Sequence, residues 1–114
     1  SKIIESIKKS NLEKMIINLP NGLDTKIGEN GVRLSGGQNK RISIARIFYH
    51  NKDIVIMDEA TSSLDVETEK NIIDQFGLLK GKKTVIFITH KEKTLKYCDT
   101  IFEIKNQQLI EKKI

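Results

Sequence analysis

Two apolar runs constrain this chain more than any other feature. Ile54-Val55-Ile56-Met57 and Val85-Ile86-Phe87-Ile88 are strand-sized and rich in β-branched residues, which suit a pleated surface. Their unbroken apolar character, without alternation, predicts strands buried in a parallel sheet. Between them, Asp65 is placed to cap a helix running from about Val66 to Lys80. Ile72, Ile73, Phe76 and Leu79 fall on its inner face. Strand, helix and strand across residues 54–88 have the length of one βαβ unit, which sheet twist makes right-handed. The expected class is therefore α/β.

The flanking segments fill out one small domain. Residues 1–19 predict two short helices, with Ile3, Ile4 and Ile7 on one face and Leu12, Met15, Ile16 and Leu19 on another. Ser10-x-x-Glu13 between them has the spacing of a capping box. Pro20-Asn21-Gly22 ends the second helix, and residues 20–33 are expected to form a loop. A helix follows from about Gly36 to Tyr49. After the second strand come a short helix near Lys91–Tyr97 and a strand pair, Ile101–Ile104 with Gln108–Glu111, turning at Asn106. The 114 residues allow one domain, and a chain of this length buries only about two-thirds of its unfolded surface. No run of about 18 apolar residues occurs, so no segment here is expected to span a membrane. No apolar h-region follows Ser1–Glu5, as a signal peptide would require.

Charge and cysteine content exclude several functions. The net charge of +5 comes from 17 lysines and only 3 arginines. Readers of nucleic acid favour the bidentate arginine fork and interleave aromatic residues for base stacking. Lys80, Lys82, Lys83, Lys91, Lys93 and Lys96 have only Tyr97 near them. They are read as a solvated lysine-rich surface, and no nucleic-acid partner is expected. Cys98 is the single cysteine, which rules out a disulfide framework and a cysteine zinc site. A cytosolic compartment is the default.

Three features carry chemistry. The first is Leu34-Ser35-Gly36-Gly37-Gln38. Ser35 and Gln38 stand in S-x-x-Q spacing, a capping box in its own right. Two glycines at the helix start weaken it by up to about 1 kcal/mol each relative to alanine. They also leave bare N–H groups, a serine hydroxyl and the positive end of the helix dipole, an arrangement suited to phosphate. A well-capped helix and an anion site are both open readings. The second is the acid pair Asp58-Glu59 at the carboxyl end of the first strand, where ligands of open α/β sheets bind. An Asp there can hold Mg²⁺ through water, and a neighbouring Glu can polarise a water for attack on a phosphoryl group. The third is His90, two residues past Ile88. Either strand end alone reads as a solvated terminus. Parallel neighbours that deliver Asp58, Glu59 and His90 to one rim favour a functional site.

These residues resemble the ATPase, or nucleotide-binding, domain of ABC transporters. Leu34–Gln38 resembles the family signature, Ile54–Glu59 the Walker B strand with its catalytic glutamate, Ser63-Leu64-Asp65 the D-loop and His90 the switch histidine. Leu19–Thr25 and Ile27–Gly31 are similar to the segment before the signature in exporter-type domains. The order and spacing match, and the resemblance covers essentially the whole chain. It implies the C-terminal part of a P-loop ABC-ATPase domain. Residues 1–49 would be a helical-subdomain remnant with the signature helix. Residues 50–114 would be the Walker B, D-loop and H-loop part, with a mainly parallel sheet and a C-terminal strand pair.

The resemblance also implies a mechanism. Two such domains face each other head to tail with ATP between them. Ser35, Gly36, Gly37 and Gln38 would serve an ATP held by the partner domain. Asp58 would orient Mg²⁺, Glu59 would be the general base, His90 would contact the γ-phosphate, and Asp65 would relay across the dimer. The implied partners are a second nucleotide-binding domain, a transmembrane domain, and the half of the domain that carries Walker A. The implied location is the cytoplasmic face of a bacterial inner membrane.

The sequence departs from the family pattern in places. No G-x-x-x-x-G-K-[ST] loop is present: Gly77–Thr84 has three residues between its glycines, has Lys83 where Ser or Thr belongs, and follows a helix. This chain by itself is therefore expected to be inactive. Lys91 stands where arginine is usual, and Lys105–Gln108 lacks a turn glycine. Two alternatives stand beside the exporter. One is a soluble ABC-type ATPase acting on nucleic acid or the ribosome. The other is a non-catalytic fragment that packs against a partner, with exposed sheet edges that would favour self-association.

Overall fold

The structure, a computed structural model, describes residues 1–113. In chain order it contains α1 (Lys2–Lys9), α2 (Glu13–Ile17), a 3-10 turn (Gly22–Asp24), α3 (Gly36–His50), β1 (Ile54–Asp58), α4 (Val66–Gly77), β2 (Thr84–Ile88), α5 (Glu92–Leu95), β3 (Ile101–Lys105) and β4 (Gln108–Lys112). β1 and β2 pair in parallel, with Ile54 opposite Thr84 and Asp58 opposite Ile88. β3 and β4 form a separate antiparallel pair. The expected α/β class and βαβ unit are therefore present.

The core lies between β1 and the two helices that flank it in sequence. Ile44 of α3, Val55 and Met57 of β1, and Ile72 and Phe76 of α4 form one buried cluster. Ile47, Phe48, Leu64, Leu79, Val85 and Phe87 pack around it. Phe76 stacks on Phe48 at 4.9 Å and meets Phe87 edge-on at 6.0 Å. α3 and α4 thus both draw on the face of β1 that carries Val55 and Met57. α1 lies against α3, and Arg41 Nη1 donates to the Asn11 carbonyl at 3.0 Å. This bond ties the N-terminal helices to α3.

Two local expectations are corrected. The first concerns the strands, which are covered on one face only. Ile54 and Ile56 are 64% and 63% exposed, and Ile86 and Ile88 nearly half exposed. An unbroken apolar run reports that both faces need cover, and α3 and α4 supply only one. The second concerns Ser10, which forms no capping box. Its hydroxyl donates back to the Ser6 carbonyl at 2.7 Å, closing the end of α1. Leu12 then stands at the start of α2 without a side-chain cap. A serine one turn past a helical carbonyl can satisfy that carbonyl instead of the next N–H, and here the backward bond prevails.

The β3–β4 turn uses Asn106 at φ 51° and Gln107 at φ 63°. Two left-handed residues make the type I′ geometry that matches strand twist. Asn adopts it readily, whereas Gln adopts it under strain. Gln107→Gly should raise stability by about 1 kcal/mol, because a residue with a Cβ costs about 1–2 kcal/mol in this conformation. Urea denaturation checks this, and an unchanged midpoint would mean the turn is remodelled in solution.

Candidate functional site

α3 begins as its residue types require. Ser35 Oγ accepts from the Gln38 N–H at 3.2 Å, and Gln38 Oε1 accepts from the Ser35 N–H at 2.9 Å. Both halves of the capping box are made. The Ser35 side chain accepts in this box, so its own hydroxyl proton stays available to an outside acceptor. Gly36 and Gly37 are the first two helical positions, whose N–H groups have no intrahelical partner. The two glycines differ. A Cβ on Gly36 would meet nothing within 4 Å, whereas one on Gly37 would lie 3.0 Å from the Ser63 carbonyl and 3.6 Å from Leu64 Cδ2. Gly37 is thus where the signature helix and the Ser63-Leu64-Asp65 loop touch.

The first strand ends in a strained turn. Glu59 follows β1 with φ 49°, a conformation that costs a side-chain-bearing residue about 1–2 kcal/mol. Its N–H donates to the Ile88 carbonyl at 2.8 Å, which extends the parallel ladder by one bond. Its carbonyl accepts from the Ser62 N–H at 3.1 Å and from Lys40 Nζ at 3.0 Å. These bonds offset the strain and redirect the side chain at the strand end. Glu59 Oε1 lies 3.2 Å from His90 Nε2. The two side chains are 47% and 93% exposed, so solvent screens the pair and it adds little stability. Its consequence is geometric: the acid and the imidazole meet at the rim formed by the carboxyl ends of β1 and β2.

The residue after the histidine is anchored. The Lys91 N–H donates to Thr89 Oγ1 at 2.9 Å. Lys91 Nζ pairs with the buried Glu69 carboxylate of α4 and reaches the Thr61 carbonyl at 3.4 Å. Lys91, the residue after His90, is thus anchored to α4. Asp65 accepts from the Thr68 N–H at 3.0 Å and caps α4 as expected. Hydrogen bonds from the Thr68 side chain and then from its N–H hold the Asp65 carboxyl below the usual carboxylate range. Asp58 is exposed at the last position of β1. No group of three or more His, Cys, Asp or Glu side chains suited to a metal occurs among the described residues. A cation at Asp58 would have to draw its other ligands from water or from the phosphates it accompanies, as Mg²⁺ commonly does. Away from this rim, burial pushes the Cys98 thiol up, which suits a structural cysteine.

The structure brings together Glu59 and His90, and it joins the start of α3 to the Ser63-Leu64-Asp65 loop through Gly37. It adds residues that the motifs did not indicate: Lys40, Ser62, Lys91 and Glu69. Lys40 was accessible in principle. It lies three positions after Gly37, hence on the same helical face. The Lys91–Glu69 pair spans 22 residues and carries no local signal.

Comparison with known proteins agrees with this geometry. A family model described as ABC transporter matches residues 2–62. A protein of Staphylococcus aureus strain NCTC 8325, provisionally named a multidrug export ATP-binding/permease protein, is 44% identical over 109 residues. The alignment covers 96% of this chain and 19% of that protein. A similarly named protein of the bovine strain RF122 matches equally, at 44% over the same share of each. Among solved structures, a bacterial Atm1-family ABC exporter with ATP bound superposes with a TM-score of 0.84 and 35% identity. That match covers 95% of this chain and 19% of the exporter chain. The chain therefore spans about a fifth of the length of the relatives it matches. No helix among the described residues is long and apolar enough to cross a membrane. Signature, strand-end acids and histidine, family match and fold all agree: this chain belongs to the ABC transporter family, and its α/β fold resembles part of an exporter's ATPase domain.

Proposed function

We propose that the chain is the C-terminal part of the ATP-binding and ATP-hydrolysing domain of an ABC exporter, which couples hydrolysis to transport across a membrane. The observation that carries this reading is the 3.2 Å contact between Glu59 and His90 at the ends of two parallel strands. The substrate is ATP with its Mg²⁺. Ser35 and the free N–H groups of Gly36 and Gly37 face the γ-phosphate of a nucleotide held by a second nucleotide-binding domain, and Gln38 holds Ser35 in place. Asp58 would hold Mg²⁺, which would supply charge neutralisation at the phosphates. Glu59 takes the proton of the attacking water as the water oxygen bonds to the γ-phosphorus and the bond to the β–γ bridging oxygen breaks. His90 donates to the γ-phosphate and stabilises the charge that develops there. Asp65, at the D-loop, lies where the two sites would meet. Closure on ATP and opening after hydrolysis would drive a transmembrane domain at the cytoplasmic face of the membrane.

The phosphate cradle belongs to the half of the domain that carries Walker A. On this reading the 114-residue chain alone binds ATP weakly and does not hydrolyse it. Titration calorimetry should detect no binding at micromolar ATP, and a micromolar dissociation constant would contradict the reading. The function itself is tested on the native gene product. An antibody against the chain should detect, in fractionated cells, a membrane-bound protein several times heavier than 13.0 kDa. A soluble product with salt-dependent nucleic-acid binding would favour the ribosome- or DNA-directed alternative instead. A soluble product the size of this chain would favour a non-catalytic fragment.

A further inference from the structure

We infer that Lys40 is a positioning residue for Glu59, holding the catalytic turn from the signature helix of the same domain. This rests on the reading of Glu59 as the general base. The ammonium of Lys40 donates to the Glu59 carbonyl at 3.0 Å and contacts Ser62 Oγ. It therefore spans the turn from its first residue to its fourth. Glu59 needs such support, because its backbone is held at φ 49° and nothing in its covalent structure favours that conformation. A charged donor to a carbonyl is among the stronger hydrogen bonds available.

The atom that Lys40 engages matters. Its bond is to the backbone oxygen of Glu59, so the carboxylate is left to face His90 and water. A direct ion pair would occupy the base. The bond instead fixes the direction in which the side chain leaves the backbone. Lys40 also lies one turn into the helix whose first residues, Ser35 to Gly37, face the partner domain's nucleotide in the proposed function. Gly37 packs against the Ser63 carbonyl, just past the end of the same turn. The helix start thus touches the catalytic loop at two points, Lys40 on Glu59 and Ser62, and Gly37 on Ser63. A shift of the helix on nucleotide engagement would move the base with it.

The test uses the full-length transporter in lipid vesicles, with phosphate release measured against ATP concentration. Lys40→Met should lower kcat about tenfold to a hundredfold, the cost of a small misplacement of a reacting group, with KM for ATP within about twofold. Lys40→Arg, which can still reach both acceptors, should restore most of the rate. Ser62→Ala should lose less than Lys40→Met and add little to it when the two are combined. The thermal unfolding midpoint of Lys40→Met should stay within a few degrees of wild type. An unchanged kcat overturns the inference. So does a kcat that falls together with the unfolding midpoint and is not restored by arginine, which would make Lys40 merely structural. Glu59→Gln separates the two levels of argument. If it turns over at the wild-type rate, the reading of Glu59 fails. If it is inactive while Lys40→Met is normal, only the role of Lys40 fails.

Discussion

On the function proposed above, Glu59→Gln in the full-length protein is expected to slow ATP hydrolysis at least about a hundredfold, the usual contribution of a positioned general base, while closure on nucleotide persists. The substitution is nearly isosteric. A glutamine at position 59 keeps the backbone bonds to Ile88, Ser62 and Lys40. Its amide can still hydrogen-bond to His90, which lies 3.2 Å from the carboxylate. What is lost is the ability to accept a proton from water. Two measurements are needed together: steady-state phosphate release, and retention of labelled nucleotide by the closed dimer. Loss of the first with survival of the second is the expected pattern. Wild-type turnover would show that another group is the base. Loss of both would mean that the carboxylate is needed for binding and not only for chemistry.

The second large effect separates the two glycines of the signature. Gly36→Ala places its methyl in open space, so the helix should gain up to about 1 kcal/mol from alanine's higher propensity. Hydrolysis by the full-length protein should nevertheless fall about a hundredfold, the loss seen when one donor to a developing anion is removed or blocked. Stability and activity then move in opposite directions, which a purely structural helix start would not produce. Gly37→Ala should behave differently. Its Cβ would sit 3.0 Å from a backbone carbonyl, closer than ordinary packing allows. Either Ser63 or the helix must shift, at a cost of about 1–3 kcal/mol, and both stability and activity should fall. Denaturation midpoints and phosphate release on the two variants decide the matter. Equal behaviour of the two alanines would mean that the loop moves freely and that the close approach is not maintained in solution.

The sequence was most informative where neighbouring residues act on one another. The capping box at Ser35 and Gln38, the cap at Asp65, the extents of α3, β1 and β2 and the start of α4 follow from side chains within about one helical turn or from strand-length apolar runs; α4 itself ends at Gly77, short of the expected Lys80. The parallel pairing of β1 with β2 follows from one helix lying between two such runs. Local rules failed at Ser10, where two carbonyls and one N–H compete for the same hydroxyl and only the packed geometry selects the winner. They also could not tell how many faces of the sheet this chain covers. An apolar run states that cover is needed, and the cover for Ile54 and Ile56 does not come from the described residues.

The chain's own sequence therefore determined which chemical groups are available: a bare helix start at Gly36-Gly37, an acid pair at Asp58-Glu59 and a histidine after Ile88. Only the tertiary structure decided which of them meet. Glu59 faces His90 because parallel pairing in this register puts the residue after Asp58 opposite the end of β2, and because a left-handed backbone, held by Lys40 and Ser62, redirects its side chain. Gly37 is tight and Gly36 open because one side of α3 packs on the Ser63–Leu64 loop and the other does not. These distinctions depend on residues 19 or more positions apart in sequence, such as Lys40 and Glu59. Propensity and periodicity act over a few residues, so such distinctions are settled only when the elements dock.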